Sequence, residues 1–492
     1  MMGNQGISLI SPAEFIHGMR HGGYRSPASA IAELVDNAIE AEATTVDVRL
    51  STDSDELPFV EVLDNGTGMT PRVLRQCLQF GGTSRFNSRE GMGRFGLGLP
   101  ASSLSYARRV SVYSWRGAYR VHQCHLDVDE VWGGATDISE PEKAKYPKGA
   151  VPYDTGTLVI WEKCDRLDLR RLRYVVGRIH LELGRRFRRF IWNGVKIRVN
   201  GESVAPVDPL LRFEDSSGAK SAMYGSEVRL SVRRVIDAGD GTTGDVVIRF
   251  AELPVDDWYS LSTADKRKKG ITRSAGVSVL RGGREVDYGW FFMGGKRREN
   301  YDDWWRCEIE FSPVLDEEFG ISHTKQQIRP TDTLIESLTP VIEPVARELS
   351  RRARYAHERL AAAERERNPL IAVAEGVDDV LADVDWEIGP QVKPPGFSIS
   401  SAEKPSPELY SPIKNQDDLG LMFNASHIFF RRLNDAATDG NKIANKTKEN
   451  VEMLLMAAAR AELALDASDS QAVERFRLKW GKILSCYMNR GT

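Results

Sequence analysis

Along residues 26–41 the apolar positions Ile31, Leu34, Val35, Ala38 and Ile39 recur every three to four residues, which predicts a helix with one apolar face. Ser26 stands where an N-cap is needed, and Pro27 suits the first helical position. Glu33, Asp36, Asn37 and Glu40 fall in a polar column on the other side. The period then changes. Val46, Val48 and Leu50 alternate, and the apolar run Phe59–Leu63 stops at Asp64-Asn65-Gly66, so two strands should follow the helix. A short helix over 71–80, opened by Pro71, leads into the glycine-rich stretch Gly81–Gly98, which has little apolar periodicity. Alternation returns at Val110, Val112, Tyr113 and Trp115, and again at Leu158–Ile160. Strands come in hairpins rather than in βαβ order, so the first region reads as mixed α/β.

From about 195 to 330 strand signals alternate with turns, including Ala275–Arg281 and Trp304–Phe311, and predict a second α/β domain. A long charged helix follows over 331–366. Seven of the 22 prolines fall between 369 and 412, which marks a linker or irregular arm, and helical periodicity resumes over 415–489. The expected partition is 1–195, 196–335, a charged helix 336–368, a Pro-rich linker 369–414 and a helical C-terminal segment 415–492.

At 492 residues, with 41% hydrophobic and 28% charged positions, the chain is long enough for several cored domains, and wholesale disorder or a disulfide scaffold is excluded. The net charge of -3 gives no overall attraction to nucleic acid. One zone departs from this balance, since residues 163–198 hold twelve Lys/Arg against three Asp/Glu. Arg185, Arg186, Arg188 and Arg189, interleaved with Phe187, Phe190 and Trp192, either grip a phosphate backbone such as DNA or pair with acids at a domain junction. The five cysteines form no CxxC pair, the N-terminus lacks a signal-peptide pattern, and no apolar run is long enough to span a membrane. A reduced, cytoplasmic protein is expected.

Gly91-Met92-Gly93-Arg94-Phe95-Gly96 satisfies the dinucleotide pattern GxGxxG, but the segment before it is a polar loop rather than the strand a Rossmann turn requires. Its neighbours give it another meaning. In order the chain offers a polar helix face with Glu33 and Asn37, a strand ending in Asp64-Asn65-Gly66-Thr67-Gly68-Met69, a glycine-rich segment ending in Gly96-Leu97-Gly98, and a strand opened by Gly156-Thr157. These four parts resemble the four motifs of the GHKL superfamily of ATPases, which includes gyrase B subunits, heat-shock chaperones, MutL, histidine kinases and MORC proteins. The resemblance covers residues 10–165.

It implies an α+β fold of Bergerat type, a mostly antiparallel mixed sheet with helices on one face, followed by an α/β transducer domain and a helical C-terminal region. It also implies roles. Glu33 would be the general base that orients and deprotonates water, and Asn37 would offer an amide oxygen to Mg²⁺ beside the triphosphate. Asp64 would accept a hydrogen bond from the adenine amino group, with Gly66 and Gly68 giving room, Met69 an apolar wall and Thr157 a buttress. Gly93, Gly96, Leu97 and Gly98 would turn main-chain N–H groups toward phosphate, with Thr83 and Ser84 in the lid. Arg85 stands where the family's lid signature carries Lys.

Residues 199–210 and 275–286 look like transducer segments of MORC-type ATPases, and His323-Thr324-Lys325-Gln326 resembles the loop whose lysine reaches the γ-phosphate, which makes Lys325 the second catalytic candidate. The function implied is an ATP-driven gate, MORC-like, that dimerises through its N-terminal segment, where Phe15, His17 and Tyr24 would cross to a second subunit, and serves DNA transactions or genome defence. A protein partner would take the C-terminal region. Alternatives are a subunit like topoisomerase VI B, a chaperone-type ATPase, or a module that holds ATP without turnover.

Overall fold

The computed structural model of the chain describes residues 11–24, 26–52, 58–82, 96–117, 120–167, 172–213, 218–234, 242–272, 275–321, 327–367, 396–414, 418–438, 442–463, 465 and 467–490. The chain divides into two compact units, Met1–Tyr355 and Ala356–Thr492.

In the first unit, helices α1 (Pro12–His21) and α2 (Pro27–Glu40) precede an eight-stranded sheet. Its strands are β1 (Thr45–Thr52), β2 (Pro58–Asp64), β3 (Arg109–Arg116), β4 (His122–Asp127), β5 (Glu142–Lys143), β6 (Thr155–Glu162), β7 (Lys196–Val199) and β8 (Glu202–Ser203). They lie in the order β5-β4-β3-β6-β2-β1-β7-β8, antiparallel except for β1 against β7. Between them run α3 (Pro71–Gln76), α4 (Gly98–Leu104), α5 (Val128–Trp132), α6 (Leu172–Arg186) and α7 (Arg188–Trp192).

α2 forms where its periodicity predicts. The Ser26 hydroxyl accepts from the Ser29 N–H at 3.1 Å, and Pro27 opens the first turn. Its apolar face, Ile31, Leu34, Val35 and Ala38, joins Val46, Val48, Val60, Val62, Val110, Val112 and Trp161 in one core. α2 packs on α4 and α6, so these helices share one face of the sheet. The opposite face, at the alternate positions Leu63, Tyr113, Trp115, Leu158 and Ile160, meets a smaller apolar cluster around Tyr146. The fold is therefore α+β, a mixed but mostly antiparallel sheet with helices on one side.

A second sheet follows. It comprises β9 (Ala222–Met223), β10 (Val228–Arg233), β11 (Thr243–Glu252), β12 (Val277–Arg281), β13 (Arg284–Gly289) and β14 (Trp305–Phe311), ordered β10-β11-β14-β12-β13 with β9 beside β11. Short helices α8 (Val255–Trp258) and α9 (Thr263–Lys268) lie between strands, and the long α10 runs from Asp332 to Arg367. In β14 the odd positions Trp305, Cys307, Ile309 and Phe311 turn to a core shared with Leu334, Leu338, Ile342, Ala346 and Leu349 of α10. The even positions therefore face the other way, and they are Arg306, Glu308 and Glu310.

That acidic face corrects the expectation of DNA contact through Arg185, Arg186, Arg188 and Arg189. Arg188 is 0% exposed, donating to Glu285 at 2.9 Å, Glu308 at 2.7 Å and the Ser278 hydroxyl at 3.0 Å. Arg189 binds Glu308 and Glu310 at 2.7 and 2.8 Å. Arg185 pairs with Glu285 and lies over the Tyr288 ring at 3.8 Å, while Arg186 donates to Glu182 and Ser29. Arg185, Arg188 and Arg189 are thus committed to acids of the second sheet and Arg186 to Glu182 and Ser29, so these guanidinium groups are engaged within the chain rather than presented to a phosphate backbone. The junction reading of the basic zone is the one realised.

Of the 1–24 segment expected to cross to a second subunit, residues 1–10 lie outside the described residues. Pro12–His21 form α1, unpredicted from the sequence: Phe15 meets Phe80 edge to face at 5.0 Å, Ile16 and Tyr24 are buried, and Arg20 binds Asp165 at 2.6 Å.

In the second unit β15 (Gly396–Ala402), β16 (Tyr410–Lys414) and β17 (Asp418–Asn424) form a sheet in the order β15-β17-β16, followed by α11 (Ile428–Thr438), α12 (Lys442–Leu463) and α13 (Ala467–Arg490). Strands thus replace part of the expected linker and the first residues of the expected helical segment. Tyr410, Leu421 and Phe423 gain a buried setting against Phe430, Leu455, Met456 and Ala459, a long-range gain that Pro- and Ser-rich flanks conceal in the sequence. No helix among the described residues is long and apolar enough to cross a membrane.

Candidate functional site

β2 ends in Asp64, whose carboxylate is brought inside by the pleat that buries Val60 and Val62. The turn after it is tied down from both sides. The Gly66 N–H donates to Asp64 Oδ1 at 2.8 Å, and Asn65 Oδ1 accepts from the Thr44 and Thr45 N–H groups at 2.9 and 2.8 Å. The chain then passes through Gly68, with φ of +64°, and an ideal Cβ there would lie 2.1 Å from the Trp115 carbonyl oxygen. A side chain is thus excluded both by backbone conformation and by space. We expect Gly68→Ala to cost at least about 2 kcal/mol, read as a lowered melting temperature, because the left-handed strain and the backbone clash add.

Met69 follows. Its N–H donates to the Ser114 hydroxyl at 2.8 Å, and that hydroxyl also lies 3.0 Å from the Gly156 carbonyl and 3.1 Å from Thr157 Oγ1. Ser114, on β3, thus joins the Asp64 turn to the start of β6. Nothing in the sequence marks it, since a serine in an alternating strand is commonplace. The register pairs Asp64 with Thr157 directly across β2 and β6.

These residues enclose a cavity of about 100 Å³ lined by Leu34, Asn37, Ala38, Ala41, Val62, Asp64, Gly68, Met69, Leu99, Thr157 and Val159. Asn37 from α2, Asp64 and Met69 from the β2 turn and Thr157 from β6 are therefore brought to one space. Burial raises the Asp64 pKa to about 6, against the pull of the Gly66 and Thr157 N–H groups. A carboxylate so placed is short of donors, which suits it to a ligand that supplies one.

Glu33 sits one turn before Asn37 on α2 and is only 2% exposed. It does not line the cavity itself. Its Oε2 would lie 2.9 Å from a Cβ on Gly98, the residue before cavity-lining Leu99, so the acid abuts the end of the glycine-rich segment. Its Oε1 is 3.6 Å from Nη2 of Arg284, and the Arg284 Nε donates to Asp36 at 2.8 Å. Burial lowers the Arg284 pKa, but Asp36 and Glu33 outweigh it and leave the guanidinium above its ordinary value. Arg284 and Asp36 are site residues that sequence reasoning missed; 248 residues separate them, and no local pattern reports such a contact.

Gly96 accepts from the Gly81 N–H at 3.0 Å, and Leu97 caps α4. Thr83, Ser84, Arg85, Gly93 and Lys325 lie outside the described residues.

Residues 24–157 match the family of histidine kinase-, DNA gyrase B- and HSP90-like ATPases. Similar curated proteins include a DNA mismatch repair protein MutL of Kosmotoga olearia, 36% identical over 90 residues, which is 18% of this chain and 15% of the relative. Protein MICRORCHIDIA 1 of Arabidopsis thaliana is 34% identical over 89 residues, covering 17% and 14%. MutL of Flavobacterium johnsoniae is 39% identical over 124 residues, covering 25% and 18%. In each case the match spans less than a fifth of the relative's length. The matched stretch contains α2, the β2 turn, α4 and the start of β6, the elements that carry the cavity. Over residues 24–157, this chain carries a domain of the GHKL type, the type shared by histidine kinase-, DNA gyrase B- and HSP90-like ATPases.

Proposed function

We propose that the protein binds Mg²⁺-ATP in the cavity between α2, the β2 turn and β6, hydrolyses it to ADP and phosphate, and uses the cycle as a conformational switch. The observation that carries this is the convergence of Asn37, Asp64 and Thr157 on one cavity, with Glu33 against Gly98 at its edge. The donor set fits the ligand. Asp64 accepts from the adenine amino group, so adenine is read over guanine. The Asn37 amide oxygen suits a hard cation that takes its other ligands from phosphate and water. Glu33 accepts the proton of the attacking water, and Lys325 is the candidate partner of the γ-phosphate.

The MutL relatives are named for DNA mismatch repair, and a DNA-related process is the setting this reading favours, by analogy. Phe476, Ile483 and Tyr487, exposed on α13 at spacings of seven and four, are the apolar positions through which the C-terminal unit would take a protein partner.

Equilibrium binding of fluorescent ATP and GTP analogues, with and without Mg²⁺, tests the site. Preference for the adenine nucleotide is expected, and no binding at millimolar nucleotide would overturn the reading. Light scattering tests the switch: a doubling of mass with a non-hydrolysable ATP analogue is expected, and an unchanged mass would remove dimerisation from it.

A further inference from the structure

Arg284 opens β13 after the turn Gly282-Gly283, and its side chain reaches from the second sheet onto α2, where it is 1% exposed. Its position there is over-determined. Nε holds Asp36 at 2.8 Å, Nη2 lies 3.6 Å from Glu33, and the guanidinium sits 5.8 Å from the centre of the Phe187 ring. The next residue, Glu285, receives Arg185 and Arg188, so the same hairpin is anchored on α6 and α7 as well. Glu33 and Asp36, three apart, stand in one column of α2, and two buried carboxylates so close require a shared cation. A guanidinium can meet both through separate N–H groups, which a lysine ammonium on one stem does less well.

Glu33 therefore faces the hairpin of the second sheet with one oxygen and the end of the glycine-rich segment with the other. Arg284 does not line the cavity where Asn37, Asp64 and Thr157 meet. We propose that Arg284 is a positioning residue through which the second sheet sets the general base: with the hairpin seated on α2, Glu33 is held for hydrolysis, and with it displaced, ATP stays bound and is not cleaved. This rests on the reading of Glu33 as the base.

The test uses the full chain and three variants, Arg284→Gln, Arg284→Lys and Arg284→Gln combined with Asp36→Asn, each measured for ATP affinity, kcat of phosphate release and melting temperature. Arg284→Gln should lower kcat about thirtyfold with less than about a threefold change in ATP Kd, a split that marks loss of an interaction needed after binding. Its melting temperature should fall, because Asp36 loses its cation. Adding Asp36→Asn should restore part of the melting temperature, since Glu33 still lacks the cation, and leave kcat low, and Arg284→Lys should give an intermediate kcat. Recovery of kcat together with stability in the double variant would make the role purely structural and overturn the proposal, as would wild-type kcat in Arg284→Gln. If Arg284→Gln does not fold, the double and Lys variants decide the question in the same way. Absence of ATP turnover in the wild type, or full turnover in Glu33→Gln, would instead refute the underlying reading of the site.

Discussion

Glu33→Gln should lower phosphate release at least about a hundredfold while leaving ATP affinity within a fewfold of wild type. The amide keeps the size of the side chain and cannot accept a proton from water. Because Glu33 lies against Gly98 at the edge of the cavity rather than in its lining, nucleotide binding does not depend on its charge. The substitution also leaves Arg284 with Asp36 at 2.8 Å, so the buried cation keeps its nearer partner and the fold is retained. Single-turnover phosphate release beside equilibrium nucleotide binding checks this. A variant that hydrolyses ATP at the wild-type rate would remove Glu33 from the chemistry.

Asp64→Asn should have opposite effects on stability and on binding. The folded-state pKa of Asp64, about 6, lies above the ordinary carboxylate value of 3.8, so its contribution to stability is fully present below about 3.8 and is lost as pH rises through about 6. At pH 7.5 the ionised group is a net cost, and a shift of about two units corresponds to roughly 2–3 kcal/mol. Asn carries no charge and can still accept the Gly66 N–H through its amide oxygen. Nucleotide-free Asp64→Asn should therefore melt higher than wild type at pH 7.5, and the difference should vanish near pH 4. ATP affinity should fall at least about a hundredfold, since the amide would turn a donor toward the donor on adenine. Denaturation at both pH values, with an ATP titration, reads both effects. A variant that binds ATP normally would show that Asp64 does not face the base.

Much of this was legible from local pattern. The 3.6-residue spacing located α2 within a residue at each end, alternation located β1, β3 and β6, the apolar run Phe59–Leu63 located β2, and strand signals over Ala275–Arg281 and Trp304–Phe311 located β12 and β14. The order of polar motifs was enough to bring Asn37, Asp64, Gly68, Met69 and Thr157 together. What was not legible depended on distance in the chain. The basic zone around Arg188 allowed two readings, and the register that turns Glu308 and Glu310 of β14 away from the second core and onto Arg188 and Arg189 decides between them. Ser114 and Arg284 carry no local mark, since a serine in a strand and an arginine after two glycines are ordinary until their partners are known. α1 was missed because its apolar residues Phe15, Ile16 and Met19 are few and flanked by His and Gly, and the helix gains its stability from packing.

The interleaved arginines and glutamates between the two sheets bear on how this protein is cut for experiment. A fragment ending at residue 195 would keep Arg185, Arg188 and Arg189 and lose Glu285, Glu308 and Glu310, leaving former interior cations on a raw surface; a fragment beginning at 196 would inherit the complementary excess of acid. Residues 11–355 are thus expected to unfold as one cooperative body, and the shortest piece that reports faithfully on the nucleotide site includes the second sheet.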